Sequence, residues 1–433
     1  MVRRRTGRRP RGAGHSFVTT CRNAPARSPV FTSRSWILLA TTFPNRSLTA
    51  WLVVRVGQSS RPGVPTGSGT ESIDPPFSRF YDVTEHFAKR FDAVGRQWAF
   101  RGGSPRAAKA WQKKLSAKLH ELLGLDTFEP TPPRLRLRGR EDQGAYWRED
   151  WTMHTEPDVI ATFYVFVPKN IRPGEQRPAV VCAHGHISAG RFAPAGRRDV
   201  APVAKTIAVH NYDYAVQLVK RGLITVAMDA RGFGQRRIQH RQDSGQLLHG
   251  SCHELMLMGQ GLGQTVTGMW VWDLLRLVDY LVTRPEVDSA RIGCAGLSGG
   301  GLQTLYLAAV DSRIQAAVVS GYYYGVKDAL IRQADNCACN SIPNLWKFVD
   351  LGDVGGLIAP RGLFIETGDN DPLNGPSLKN VTTQVGYTRK VYRSLGCAGQ
   401  LVHHIFPGEH RWCGEQSVPW LAQQLDLKSS RLA

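Results

Sequence analysis

Residues 291–301 read RIGCAGLSGGG, and the reading of this stretch decides the fold. Its apolar start, 291–297, suits a buried strand; the chain then breaks into glycines around Ser298, and an apolar segment of helical character follows over 302–310. Gly296-Leu297-Ser298-Gly299-Gly300 is a G-x-S-x-G element in the strand, sharp turn, helix context that such an element needs. A serine hydroxyl is a weak nucleophile, so catalysis requires it at a tight turn within reach of a base. The flanking glycines permit close helix–strand packing. The N–H of Gly299, at the helix start, can point at a developing oxyanion. A bare motif equally fits a serine that only caps a helix, so its meaning depends on the partners that follow.

Outward from this element the chain alternates. Strand patterns fall at 179–183, 223–229, 316–320, 363–366 and 401–406, with helical patterns at 212–220, 268–282 and 382–395. Such alternation gives a parallel sheet covered by helices on both faces, with functional groups at the carboxyl ends of its strands. Before it, 146–155 and 158–167 read as a strand pair rich in β-branched and aromatic residues, which predicts antiparallel strands at the N-terminal edge. Residues 107–124 place Trp111, Leu115, Leu119, Leu122 and Leu123 near helical spacing, an amphipathic extension packed on the main domain and stopped by Gly124.

The partners that a serine nucleophile needs follow in order. The 363–366 strand runs into Gly368-Asp369-Asn370-Asp371-Pro372, and the last strand runs into Pro407-Gly408-Glu409-His410. Serine, acid, histidine is the chain order of α/β-hydrolase folds, each residue just past a strand. His410 is the expected base. Asp371 is preferred over Asp369 as the acid, because Pro372 fixes its turn while Asp369 suits an Asx turn. The second oxyanion donor should lie in the loop His184-Gly185-His186, with the amide of His186 assigned and Ile187 as the neighbouring candidate.

Composition bounds the alternatives. The chain has 433 residues, 42% hydrophobic content and a net charge of +20, which invites an anionic-polymer or nucleic-acid reading. About half of the excess lies in the first 75 residues, where arginines face only Glu71 and Asp74. Residues 1–76 open RRRTGRRPRGAG after Met1-Val2, are rich in Pro, Ser and Gly and lack periodicity, so a disordered basic leader is expected, followed by the hydrolase domain over 77–433. No methionine occurs between Met1 and Met153, which reads as an over-extended gene start. The apolar pieces near 36–43 and 48–54 are too broken for a membrane span. No specific nucleic-acid partner is expected, and a cytoplasmic location is favoured over secretion. Eight cysteines are too sparse for a disulfide scaffold; Cys182 and Cys294 fall in strands as core thiols. Cys337 and Cys339 form a C-x-C with Cys252-His253 as conceivable company for a metal, but without the usual C-x-x-C spacing no metal is assigned. Arg191, Arg197, Arg198 and Arg231 fall near the mouth of the expected site, where they either select an anionic substrate such as a uronic-acid ester or are surface charges.

Over roughly 77–425 the sequence resembles the α/β-hydrolase superfamily, and within it the acetyl-xylan-esterase-like and dienelactone-hydrolase-like esterases. The resemblance rests on VVCAHGH (180–186), VAMDARGFGQR (226–236), WDLLRLVDYLVTRPEVDSARIGCAGLSGGG (272–301), AAVDSRIQAAVVSGYY (308–323), NCACNSIPNLW (336–346), LIAPRGLFIETGDNDP (357–372) and FPGEHRW (406–412). It implies hydrolysis of carboxylic esters, often of acetyl or other small acyl groups on sugars, without metal or organic cofactor, by Ser298, Asp371 and His410. Gly362 departs from the family, where relatives commonly carry proline, and this is expected to loosen the approach to the acid loop. A serine peptidase of the same fold would use the same three residues. Residues 187–211 and 232–264 are expected to shape the pocket.

Overall fold

A computed structural model of the protein describes residues 37–41, 50–54, 82–239, 246–333 and 336–425. Two compact units divide at Phe80 and Tyr81. In the first, strands Ile37–Thr41 and Ala50–Val54 pair antiparallel; the expected disorder of the rest of 1–76 lies outside the described residues.

The second unit is built on a nine-stranded sheet. Its strands are β1 (Arg136–Asp142), β2 (Tyr146–Glu156), β3 (Val159–Pro168), β4 (Arg177–Ala183), β5 (Ile224–Met228), β6 (Val287–Leu297), β7 (Ile314–Ser320), β8 (Gly362–Gly368) and β9 (Leu401–Phe406). Their spatial order is β9-β8-β7-β6-β4-β5-β3-β2-β1. β4 to β9 run parallel, whereas β3 pairs antiparallel with β5 and β2, and β2 with β1. The expected mostly parallel sheet with an antiparallel N-terminal edge is what the chain forms. The edge strand β1, sequence RLRGRED, carries no strand pattern because every one of its residues is exposed; charge on an edge also discourages pairing with a further chain.

Helices cover both faces. Along β4, Ala179, Val181 and Ala183 enter one apolar cluster and Val180 and Cys182 the other, as two-residue periodicity requires. The first cluster takes in helices α1 (Pro105–Leu123), α2 (Val266–Leu281), α3 (Gly299–Val310) and α4 (Leu378–Ser394). Ala201–His210, Tyr214–Val219 and Ser417–Gln424 belong to the second. In α1, Ser104 caps the N-terminus by accepting from the Ala107 N–H, with Pro105 in the first turn. Leu115, Leu119 and Leu123 are fully buried, each contributing about 2 kcal/mol; Trp111 and Leu122 lie at the margin. Cys182 and Cys294 are core thiols, and burial pushes both well above the usual thiol range. Gly362 opens β8 opposite Ala316, and a methyl there would lie 3.0 Å from the Trp420 ring. Among the described residues no helix is long and apolar enough to cross a membrane.

Candidate active site

β6 delivers Ser298 and α3 begins at the next residue. The turn between them holds Ser298 at φ 60° and ψ −123°, a backbone state that side-chain-bearing residues rarely adopt. Its N–H donates to the Ser320 carbonyl at the end of β7 (2.9 Å), which fixes the turn against the neighbouring strand. The motif's last glycine is demanded by space. A Cβ on Gly300 would stand 2.1 Å from the Ala183 carbonyl oxygen, because α3 leaves the elbow directly over the end of β4.

His410 and Asp371 reach the same rim from β9 and β8. His410 Nδ1 lies 2.7 Å from Asp371 Oδ2, and the other carboxylate oxygen accepts from the Leu373 N–H at 2.9 Å. The Asp371 side chain is 1% exposed, so the pair is shielded on its acid side. Asp369 is turned elsewhere, accepting from Asn370 Nδ2 and the Gly408 N–H (2.9 Å each). The imidazole rests on Gly321, whose positive φ of 58° leaves no room for a side chain: a Cβ there would meet His410 Cε1 at 2.9 Å. The His410 carbonyl oxygen is held 2.7 Å from His210 Nδ1.

The loop after β4 closes the arrangement. Gly185 approaches the elbow so closely that a Cβ on it would lie 3.0 Å from the Gly299 nitrogen. Three residues that sequence reasoning missed lock this loop. The Gly185 N–H donates to Tyr212 Oη (2.7 Å), Gln303 Nε2 donates to the His184 carbonyl (2.6 Å), and the Ala230 N–H donates to His184 Nε2 (2.9 Å). His184 must therefore carry its proton on Nδ1, facing the Gly185 carbonyl and Ser188 Oγ. Burial lowers its pKa to about 4 and keeps it neutral. No local pattern marks Tyr212 or Gln303; both lie in segments read as plain helix.

Ser298, Gly299, His186, Ile187 and His410 all line one cavity of about 340 Å³. Tyr212, Tyr322, Tyr324, Leu302, Leu373, Cys337 and Cys339 supply most of its remaining wall. Ile187 holds φ 54°, a strained value for a β-branched residue.

The four arginines placed near the mouth do not line it. Arg191 is fully buried and pairs with Asp229. Arg231, 11% exposed, is held by Asp273 (2.8 Å) and Glu156 (2.7 Å). Burial would raise the Asp273 carboxyl, but Arg231 and Arg236 overcome it and hold it at about 2. Arg197 pairs with Asp199 and Arg198 with Asp213. Arg191 and Arg231 are therefore structural cations, neither surface charges nor substrate ligands.

Cys252, Cys337 and Cys339 gather as the sequence suggested, but the histidine beside them is a different one. His253 is exposed, whereas His186 lies against Cys252, Cys337 and Cys339.

A mostly parallel sheet carrying a serine on a strained strand-to-helix turn, with a histidine–carboxylate pair at the ends of two further strands, defines an α/β-hydrolase fold. The sequence model of the abhydrolase family matches residues 95–374, and the chain belongs to that family. It is 28% identical over 200 residues to the Bacillus subtilis (strain 168) protein named "Putative hydrolase YtaP", a match taking in 45% of this chain and 61% of that protein's length. Among solved structures it resembles a "putative acetyl xylan esterase" of Bacteroides fragilis NCTC 9343 (TM-score 0.66, 20% identity, 80% of this chain and 95% of that one). It also resembles a glucuronoyl esterase of Teredinibacter turnerae T7901 (TM-score 0.52, 17% identity, 78% and 88%).

Proposed function

We propose that the protein is a serine hydrolase of carboxylic esters, acting on small acyl esters, acetyl first, of sugars or similar alcohols. The observation that carries this reading is the convergence of Ser298 on its strained turn and His410, backed by Asp371, on one small cavity. His410 takes the proton from Ser298 Oγ as that oxygen attacks the ester carbonyl. Asp371 orients the imidazole through Nδ1 and stabilises its charged form. The amides of Gly299 and His186 receive the oxyanion, Gly299 from the first turn of α3, where backbone N–H groups have no partner within the helix. The alcohol leaves with the proton held by His410. Water then attacks the acyl-enzyme by the same route and releases the acid. A cavity of about 340 Å³ walled largely by aromatic and apolar groups suits a short acyl chain. The likeness in fold to an acetyl xylan esterase and a glucuronoyl esterase supports the ester class. With Arg191 and Arg231 committed to internal carboxylates, the neutral acetylated sugar is favoured over the uronate ester.

Purified protein tested on acetylated sugars, uronate methyl esters and peptide amides should turn over the first group best, and Ser298→Ala should abolish that turnover. Peptide amides hydrolysed faster than acetyl esters would overturn the assignment in favour of a peptidase.

A further inference from the structure

At the wall of the hydrolytic cavity, but apart from Ser298, Asp371 and His410, three chain segments bring soft ligands to one point. His186 comes from the loop after β4, Cys252 from the start of the helix Cys252–Gly259, and Cys337 and Cys339 from the loop after β7. His186 Nε2 lies 3.7 Å from Cys339 Sγ and 3.9 Å from Cys252 Sγ. All four ligand atoms, Cys337 Sγ included, are within 4.8 Å of one another. A tetrahedral zinc ion with Zn–S of about 2.3 Å and Zn–N of about 2.0 Å spaces its ligands at roughly 3.8 Å between sulfurs and 3.5 Å from nitrogen to sulfur. The nitrogen–sulfur spacings of 3.7 and 3.9 Å stand within about 0.4 Å of the tetrahedral value, and no pair in the set is further apart than 4.8 Å. As plain hydrogen-bonding groups three thiols make a poor environment for an imidazole, since S–H is a weak donor and sulfur a weak acceptor. As metal ligands they form a Cys₃His set, a combination that selects zinc among the common cations.

We propose that His186, Cys252, Cys337 and Cys339 bind one structural zinc ion. Four protein ligands leave no open position, so the ion does not activate water. On binding, the three thiols lose their protons to solvent and the imidazole coordinates as the neutral base through Nε2. A neighbouring group is suitably placed to support a sulfur ligand: Asn340 Nδ2 lies 3.8 Å from Cys339 Sγ. The ion joins the loop that presents the His186 amide to the cysteine loop forming the opposite wall of the cavity. It thereby fixes the proposed oxyanion donor from behind. Sequence spacing pointed to His253 and concealed the histidine of the set, because His186 stands 66 residues from Cys252 and 153 from Cys339.

The test is metal analysis of the full chain, produced with zinc present and purified without chelator. Plasma mass spectrometry should find about one zinc per chain, and X-ray absorption at the zinc edge should show three sulfurs near ~2.3 Å and one nitrogen near ~2.0 Å. Cys252→Ser and Cys337→Ser should each lower the zinc content at least fivefold, while Cys397→Ser, outside the set, should leave it unchanged. Metal is counted rather than turnover, and Ser298→Ala should keep its zinc, so failure here is distinguishable from failure of the esterase reading. Wild-type protein that holds no zinc even after reduction and zinc addition would overturn the proposal. So would a disulfide linking any two of Cys252, Cys337 and Cys339 in the folded chain, or an absorption spectrum without sulfur ligands. Should the serine variants not fold, the wild-type metal count and spectrum decide alone.

Discussion

Replacing Asp371 by Asn tests the electrostatic core of the proposed mechanism. Asp371 Oδ2 lies 2.7 Å from His410 Nδ1 and the carboxylate is 1% exposed, so its charge acts on the imidazole with little screening. Opposite charges centred about 4 Å apart attract by about 4 kcal/mol at an effective dielectric of about 20. That attraction is realised only when His410 becomes charged, and its loss corresponds to roughly a thousandfold in rate. Asparagine adds a second fault. Its amide can donate to Nδ1, which moves the proton to Nε2 and prevents His410 from accepting one from Ser298. Asp371→Asn should therefore lower kcat for p-nitrophenyl acetate by about three to four powers of ten. Asp369→Asn, altering an exposed turn, should stay within about threefold of wild type. Thermal unfolding of both variants should remain close to the parent, which separates a chemical defect from a structural one. A more damaging Asp369 change, or more than about a tenth of the activity left in Asp371→Asn, would refute the argument.

Three further outcomes follow from the same geometry. Gly300→Ala places a methyl 2.1 Å from the Ala183 carbonyl, so the elbow must open; soluble yield and midpoint should fall, with a cost of about 1–3 kcal/mol or more in denaturant unfolding. Asp273→Ala strips Arg231 and Arg236 of a buried partner and should destabilise by about 3–5 kcal/mol while the folded fraction keeps its specific activity; a change below 1 kcal/mol would show that these arginines reach solvent. His184 has a folded pKa of about 4 against an ordinary 6.5, so folding favours its neutral form. Its contribution of roughly 3 kcal/mol is complete above pH ~6.5 and is lost as the pH falls from there toward ~4. Unfolding free energies measured across that window should decline, and an unchanged decline in His184→Asn would assign the effect to another group.

The positions of the strands were legible because the central parallel strands β4, β5, β7 and β8 are buried nearly throughout and read as short apolar runs, and the half-buried edge strand β9 still carries four apolar residues in six. β9 occupies 401–406 as expected, and β6 extends four residues before its expected start only because Val287–Ala290 lies outside the apolar run. That Ser298, Asp371 and His410 reach one rim was legible for a related reason: each lies within four residues of the end of a strand. The edge strand β1 was not, since an exposed strand carries no burial signal. Charges misled where compensation is long-range. Arg231 looks free in its own loop and finds Asp273 only after α2 packs beside it, 42 residues on. The helix Ala201–His210 and the helix Cys252–Gly259 lie within 187–211 and 232–264, where no helical pattern was read, and the second bears a cysteine whose neighbours come from distant segments.

The account stands on Ser298 being the residue that becomes acylated. Reaction of the protein with a fluorophosphonate, followed by peptide mass spectrometry, should place one adduct on Ser298, stop ester turnover in proportion, and leave Ser298→Ala unlabelled. An adduct on another residue, or undiminished hydrolysis by fully labelled protein, would contradict it.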